Sequence, residues 1–190
     1  MKSESDILLG FPTIEDGGNC VTKIISEGII PSGMEMMDKV LLEATNNFSK
    51  AGYPLDAEGM LIVEIDGTKS EVDELIDRVA QIAKQNKCSS IKISKSEEER
   101  LKFWSGRKAA FPACGEMAPD YYCVDGTIPR GKLAKVLKEI TKLSKKYKLP
   151  VANAFHAGDG NLHPIIMFDA NDKTSLEKTE KFGEDILKLC

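Results

Sequence analysis

The residues of this 190-residue chain that could do chemistry are concentrated in one stretch near its C-terminal end. The chain has two histidines, His156 and His163, which lie seven positions apart. Between them, the residues Gly158-Asp159-Gly160-Asn161 have the composition of a tight turn, because glycine and asparagine tolerate the positive φ values that such turns need. If these four residues form the loop of an antiparallel hairpin, His156 and His163 face each other as a directly opposed pair on one side of the sheet.

This arrangement predicts a site for a divalent metal ion. Opposed residues on neighbouring strands have Cβ atoms roughly 4.5–5.5 Å apart, and two imidazoles at that spacing can share one metal ion. The spacing alone leaves open the alternative that the histidines are unrelated core or surface residues. Two histidines are also an incomplete ligand set, so a further ligand, for which Asp159 and Glu35 are candidates, must complete the site. Asp159 fits better as a residue that shapes the turn.

The elements that must position these residues alternate along the chain between strand and helix periodicity. The patterns predict strands at residues 7–11, 33–37, 60–67, 90–94, 121–128, 151–156 and 162–168. Helices are predicted at residues 13–26, 38–51, 70–86, 97–110, 132–147 and 173–189, and a long loop at residues 111–120. The order predicts an α+β fold with a largely antiparallel sheet and helices packed on one face. A doubly wound parallel sheet is disfavoured because no glycine-rich turn follows a strand in the place that this fold requires.

Composition excludes several classes of protein. The chain has 26 basic and 30 acidic residues, a net charge of -4 and 42% hydrophobic residues, which is typical of a globular protein and argues against nucleic-acid binding. No apolar run approaches the roughly 20 residues of a membrane helix. Five widely spaced cysteines without a Cys-x-x-Cys pair, and the lack of a signal-peptide pattern, favour reduced thiols and a cytoplasmic location. The lysine-rich helix at residues 132–147 is interpreted as a solvated face.

Four stretches resemble the C-terminal cap domain of the FAD-linked 2-hydroxyacid dehydrogenase and oxidase family. They are VANAFHAGDGNLHP (residues 151–164), MEMMD (34–38), FWSGRKAAFPA (103–113) and DGTIP (125–129). The matches occur in order from about Ile7 to Cys190 and so cover nearly the whole chain. Within the family, the details are most similar to the FAD subunit of glycolate oxidase, and they also resemble D-lactate dehydrogenases.

The resemblance implies an architecture and an activity. The implied fold is a ferredoxin-like cap that closes over FAD held by a separate N-terminal domain, with a 2-hydroxy acid bound between them and oxidised to a 2-oxo acid. We expect residues 1–190 to form a single cap domain without the relatives' FAD-binding domain. We also expect it to lack their extreme C-terminal Gly-Glu-His-Gly segment, whose glutamate completes the metal site and whose histidine is the base. The chain alone is therefore expected to be inactive.

The resemblance also implies roles for individual residues. His156 and His163 bind a divalent metal ion, zinc or manganese-like, and Arg107 binds the substrate carboxylate. The alternative for Arg107 is a surface ion pair on an acidic helix. Asp159 and Asn161 are expected to orient the two histidines. Cys123 occupies a position where some relatives use a substrate-binding lysine.

The implied partners are the FAD-binding domain, an iron–sulfur subunit and a second copy of the fragment. A competing hypothesis is a stand-alone α+β module that binds a small acid or another protein without catalysis. An independent metallohydrolase is disfavoured because the chain has no His-Glu-x-x-His run.

Overall fold

The computed structural model describes residues 3–190, which contain eight strands and seven helices. In chain order the elements are β1 (Ser3–Phe11), α1 (Ile14–Ser26), β2 (Gly33–Asp38), α2 (Lys39–Ser49), β3 (Gly59–Gly67), α3 (Lys69–Gln85), β4 (Ser90–Ile93), α4 (Glu97–Lys108), α5 (Ala110–Gly115), β5 (Asp120–Cys123), β6 (Gly126–Thr127), α6 (Leu133–Tyr147), β7 (Val151–His156), β8 (Asn161–Phe168) and α7 (Lys173–Leu189).

All strands join one antiparallel sheet in the order β4-β1-β3-β2-β7-β8-β5, with β6 paired to β8. The first half, β1-α1-β2-β3-α3-β4, has the strand order β4-β1-β3-β2 of a ferredoxin-like βαββαβ unit. The second half, β5-α6-β7-β8-α7, repeats the first five elements of that unit, with the order β7-β8-β5. The halves meet where β2 pairs with β7 and where α1 packs on α6. The predicted α+β class and antiparallel sheet are confirmed.

Helices cover both faces of the sheet, so the prediction that they pack on one face is wrong for three of them. Helices α1, α3, α6 and α7 cover one core, and α2, α4 and α5 cover a second core on the opposite face. The reason is visible in β1, where Ile7 and Leu9 enter the first core while Leu8 enters the second. A strand that is apolar on both faces needs a cover on both.

Local signals explain where the helices begin. The Thr13, Asp38 and Thr68 side chains accept hydrogen bonds from the first turns of α1, α2 and α3, and Thr68 forms a capping box with Glu71. The predicted loop at residues 111–120 is wrong at its start, where α5 forms. Pro112 is tolerated there because it lies in the first turn, where a backbone N–H has no acceptor within the helix.

Within residues 3–190, no helix is long and apolar enough to cross a membrane. The five cysteines are free thiols.

Candidate functional site

Three of the candidate side chains lie on one face of the sheet, carried by the adjacent strands β2, β7 and β8. Side chains alternate between faces along a strand. Glu35 therefore shares its face with Met37, His156 with Ala154, and His163 with Ile165. These three neighbours belong to the core beneath α2, α4 and α5, so the candidate site lies on that face.

The register of the β7–β8 hairpin differs from the predicted one. His156 pairs with Asn161, and His163 pairs with Ala154. The turn takes residues 157–160, with Gly160 at a φ of +74°, so β8 begins one residue earlier than predicted. The two histidines are consequently diagonal rather than directly opposed neighbours. They still share a face, and their ring centroids lie 4.9 Å apart with the ring planes at 88°.

Each imidazole is held by a carboxylate through the same ring nitrogen. His156 Nδ1 lies 2.6 Å from Glu35 Oε1, and His163 Nδ1 lies 2.5 Å from Asp125 Oδ1. Because an ionised carboxylate only accepts hydrogen bonds, each Nδ1 carries the proton and donates it. In the neutral ring this leaves Nε2 as a free lone pair, the arrangement found in carboxylate–histidine–metal sites.

Arg107 completes a chain of polar contacts across the site. Its Nε and Nη2 atoms donate to Glu35 Oε2 at 3.0 and 2.9 Å, while Glu35 Oε1 accepts from His156. The Arg107 and Glu35 side chains are only 13% and 12% exposed, so this is a shielded, charge-assisted contact rather than a surface ion pair. The ion pair with the acidic start of α4 is made instead by Arg100, which contacts Glu97.

Helix α4 is anchored so that Arg107 reaches the sheet. Phe103 is buried in the core of this face, and its backbone carbonyl accepts a hydrogen bond from the Tyr53 hydroxyl. Trp104 Nε1 donates to Asp6 Oδ2 at 2.7 Å, which ties the middle of α4 to β1. Gly106 lies against the Tyr53 ring, where a Cβ atom would come within 2.4 Å. The helix can lie this close only because residue 106 has no side chain.

The structure does not bring Asp159 or Asn161 to the imidazoles through their side chains. Among the described residues, neither the Asp159 carboxylate nor the Asn161 amide bonds to either ring. The backbone N–H groups of Asp159 and Gly160 instead donate to the His156 carbonyl at 3.1 Å. Glu35 and Asp125 occupy the orienting positions. Sequence reasoning missed this role for both, although a carboxylate among the buried methionines of MEMMD was an available signal.

A second group of potential ligands overlaps the first. Ligand atoms of Cys123, Asp125 and His163 all lie within 4.8 Å of one another, and His156 is not part of this group. Burial, and then the charge of Asp125, raises the pKa of the Cys123 thiol to about 11. A cysteine coordinates a metal ion as the thiolate, so a metal ion bound by this group would have to displace the proton of Cys123.

The amino-acid sequence is similar to a known protein family and to characterised members of it. The family model described as "FAD linked oxidases, C-terminal domain" matches residues 1–190. The chain is 49% identical over 184 residues to "Glycolate oxidase subunit GlcD" of Escherichia coli, covering 97% of this chain and 37% of that protein. It is 30% identical over 175 residues to "D-lactate dehydrogenase [cytochrome], mitochondrial" of Arabidopsis thaliana, covering 91% of this chain and 30% of that protein. The chain thus spans about a third of the length of these relatives.

Solved structures show the same fold at much lower sequence identity. A 4-ethylphenol oxidase from Gulosibacter chungangensis superposes with a TM-score of 0.69 at 11% identity, covering 98% of this chain and 43% of that one. An alkyldihydroxyacetonephosphate synthase superposes with a TM-score of 0.66 at 14% identity, covering 100% of this chain and 39% of that one.

Proposed function

Because this chain belongs to the family of FAD-linked oxidase C-terminal domains, we propose that it forms the substrate-binding side of a flavin-dependent 2-hydroxyacid dehydrogenase. The proposed reaction converts a 2-hydroxy acid of the glycolate or D-lactate type to the 2-oxo acid, with the two electrons passing to FAD. The flavin is bound mainly by another domain of the full-length protein. The observation that carries this proposal is the polar chain from Arg107 through Glu35 to His156, beside the carboxylate-held His163.

The donor set fits a divalent metal ion of the zinc or manganese type. His156 and His163 present imidazoles on the same face, each with its Nδ1 held by a carboxylate, so their Nε2 atoms are the proposed ligands. His156 has a side chain 43% exposed, which leaves room for substrate and for a further ligand from outside the described residues. When bound, the metal would lower the pKa of the substrate hydroxyl.

Arg107 is the proposed binding residue for the substrate carboxylate. Glu35 engages its Nε and Nη2 atoms, which fixes the plane of the guanidinium group and leaves Nη1 to donate to a substrate. A fixed guanidinium loses little conformational freedom when it binds a carboxylate. Glu35 therefore positions two substrate-side groups at once, the guanidinium of Arg107 and the imidazole of His156.

The test of the ligand assignment is metal analysis of the full-length protein with His156→Ala or His163→Ala. We expect each variant to lose most of its bound metal while keeping its FAD, because FAD is held mainly elsewhere. Asp159→Asn is a matched control, since this exposed side chain in the same hairpin does not contact either ring. Unchanged metal content in both histidine variants would refute the assignment.

The test of the Arg107 assignment is steady-state kinetics of the full-length protein with Arg107→Lys. A lysine keeps the charge but cannot hold Glu35 and a substrate carboxylate in one planar group. We expect the KM for the hydroxy acid to rise by about tenfold or more, a loss of about 1.4 kcal/mol of binding, with the FAD content unchanged. An unchanged KM would contradict the assignment of Arg107, whereas a full-length protein that does not oxidise 2-hydroxy acids at all would favour the non-catalytic binding module.

We also propose partners for the chain. The E. coli relative is named as a subunit, which supports a multi-subunit enzyme, and we propose an iron–sulfur subunit as a member of it. Three apolar side chains in and after α5 are partly exposed, namely Phe111, Met117 and Tyr121. We propose that the FAD-binding domain covers them, so that the 190-residue chain alone should form dimers in sedimentation experiments.

A further inference from the structure

We propose that Cys123, Asp125 and His163 form a binding site for a soft divalent cation of the Zn²⁺ or Cd²⁺ type, distinct from the site proposed at His156 and His163. The structure brings one ligand atom of each residue within 4.8 Å of the other two, and His156 is not part of this group. The two sites share one imidazole, which in its neutral form has a single lone pair and serves one site at a time. The proposal does not depend on the proposed function above.

Strand pairing brings the three side chains together. Cys123 is the last residue of β5 and pairs with Ile165 of β8, two residues beyond His163 and on the same face. Val124 belongs to the core beneath α1, α3, α6 and α7, so its neighbours Cys123 and Asp125 turn to the opposite face, toward His163. The Val124 N–H donates to a carbonyl of β8 at 2.9 Å, which holds the two strands together at this point.

The distances within the group are close to those of tetrahedral coordination. Asp125 Oδ1 lies 2.5 Å from His163 Nδ1 and 3.9 Å from Cys123 Sγ. Ligand atoms around a tetrahedral zinc ion lie about 3.3–3.6 Å apart, given zinc bonds of roughly 2.0–2.3 Å. A cation among these atoms therefore requires the imidazole and the carboxylate to part by roughly 1 Å, and the sulfur to approach the carboxylate by less.

Asp125 is the ligand that can make this movement. Its side chain is 76% exposed, and it lies between β5 and β6, where it is not included in the pairing of either strand with β8. The Cys123 and His163 side chains are mostly shielded and are held by the sheet. A cation can thus enter from the solvent on the side of Asp125. Three protein ligands leave the fourth tetrahedral position to a water molecule.

The types of ligand select the class of cation. A thiolate with an imidazole favours Zn²⁺ and softer ions, whereas Mg²⁺ and Mn²⁺ prefer oxygen ligands. On binding, a bond forms between the cation and the Cys123 sulfur, and the thiol proton passes to the solvent. A cation bound by His156 and His163 has no sulfur ligand, so a bond to sulfur distinguishes the two sites.

The test is a titration of the 190-residue chain with Cd²⁺ followed by ultraviolet absorption, because a thiolate bound to Cd²⁺ gives a charge-transfer band. We expect a saturable band that Cys123→Ser abolishes, and His163→Ala should weaken Cd²⁺ binding by about tenfold or more. His156→Ala should leave the band and the affinity unchanged. Cys190→Ser is the matched control, since this exposed thiol lies outside the group and its loss should leave the band unchanged.

The absence of a saturable band at millimolar Cd²⁺ would overturn the proposal. A band that persists in Cys123→Ser, or equal weakening by His156→Ala and His163→Ala, would also overturn it, because the cation would then lie elsewhere. Mg²⁺ that competes with Cd²⁺ on equal terms would refute the class of cation. Circular dichroism checks the folding of each variant.

A second measurement needs no variant. Cd²⁺ should protect Cys123 of the unmodified chain from alkylation by iodoacetamide, measured by mass spectrometry of the digested protein. Cys190, which is exposed and outside the group, should react at the same rate with and without Cd²⁺. Equal protection of both thiols, or of neither, would overturn the proposal.

Discussion

At the scale of single residues, Glu35 joins two other side chains of the candidate site through hydrogen bonds. One oxygen accepts from Arg107 and the other from His156, in surroundings that leave its side chain 12% exposed. Hydrogen bonds to charged groups are stronger than neutral ones, and removing one partner leaves the others unsatisfied.

We therefore expect Glu35→Gln to weaken metal binding by the full-length protein about 10–100-fold, the usual cost of losing a carboxylate behind a metal-binding histidine. The glutamine keeps the size of the side chain but removes the charge that fixes the His156 tautomer. Metal titration monitored by calorimetry measures the effect, with Asp159→Asn as the comparison. A metal affinity equal to that of the unmodified protein would show that His156 needs no orienting carboxylate.

Asp6 provides a second prediction at this scale, for stability rather than function. Burial, and then the nearby charge of Glu64, raises the pKa of this fully buried carboxyl to about 7. Since the pKa in the folded state exceeds the unfolded value of 3.8, the neutral form is favoured by folding. The resulting stability is complete below the unfolded pKa and is lost as the pH rises through 7.

Asp6→Asn should remove this pH dependence, because an amide oxygen can still accept from Trp104 without ionising. At about pH 8 we expect the variant to be more stable than the parent by about 2–4 kcal/mol, at 1.36 kcal/mol per pKa unit. The difference should shrink toward acid pH. Urea unfolding at several pH values measures it, and Asp56→Asn is an exposed control. A constant difference across the pH range would show that Asp6 does not titrate as described.

At the scale of elements, the position of α4 depends on a glycine. A Cβ atom at residue 106 would lie 2.4 Å from the buried Tyr53 ring, so Gly106→Ala must push the helix or the ring aside. We expect a loss of about 1–3 kcal/mol of folding stability from overpacking, despite the better helix propensity of alanine. Under the proposed role of Arg107, the KM of the full-length protein for the proposed 2-hydroxy acid should also rise, because Arg107 is the next residue.

Gly115→Ala is the matched control for this change, because nothing lies within 4 Å of the added atom. Comparing the thermal unfolding of the two variants separates the cost of overpacking from the gain in helix propensity. A Gly106→Ala variant as stable as the control would mean that Tyr53 moves away at little cost.

Elements of this chain were easier to predict than their contacts. The order of strands and helices follows from hydrophobic periodicity and capping residues, and the antiparallel sheet follows from that order. The β7–β8 register could not be predicted in this way, because sequence composition places a turn only to within one residue. The positive φ of Gly160 puts this residue inside the turn, which therefore consists of residues 157–160. The partners of the two imidazoles were also hidden, since Glu35 and Asp125 are distant from them in sequence and reach them only through strand pairing.

At the scale of the whole molecule, the candidate site belongs to both halves of the sheet. Glu35 comes from β2 in the first half and the two histidines come from β7 and β8 in the second, while Arg107 reaches the site from α4, which follows β4 in the chain. The halves also touch on the opposite face, where Gly18 of α1 lies against Ala134 of α6. A Cβ atom at residue 18 would come within 3.2 Å of the Ala134 backbone, so this contact sets how closely the halves approach.

Gly18→Ala should therefore weaken the candidate site from a distance. We expect a loss of about 1–3 kcal/mol of stability from overpacking together with weaker metal binding in the full-length protein. Gly131→Ala, where nothing lies within 4 Å of the new atom, should change neither. Metal affinity measured beside thermal unfolding tests the coupling. Reduced stability with unchanged metal affinity would show that the two faces of the sheet are independent.

The short ladder between the halves has a mechanical consequence. Three residue pairs join β2 to β7, against nine between β1 and β3 and six between β7 and β8. A pulling force that separates the two halves should break the sheet at this seam, where Glu35 pairs with His156 in the ladder and also through their side chains. A substrate or metal ion held between Arg107 and the histidines would bridge the seam, so occupancy of the site should raise the force at which the two halves separate.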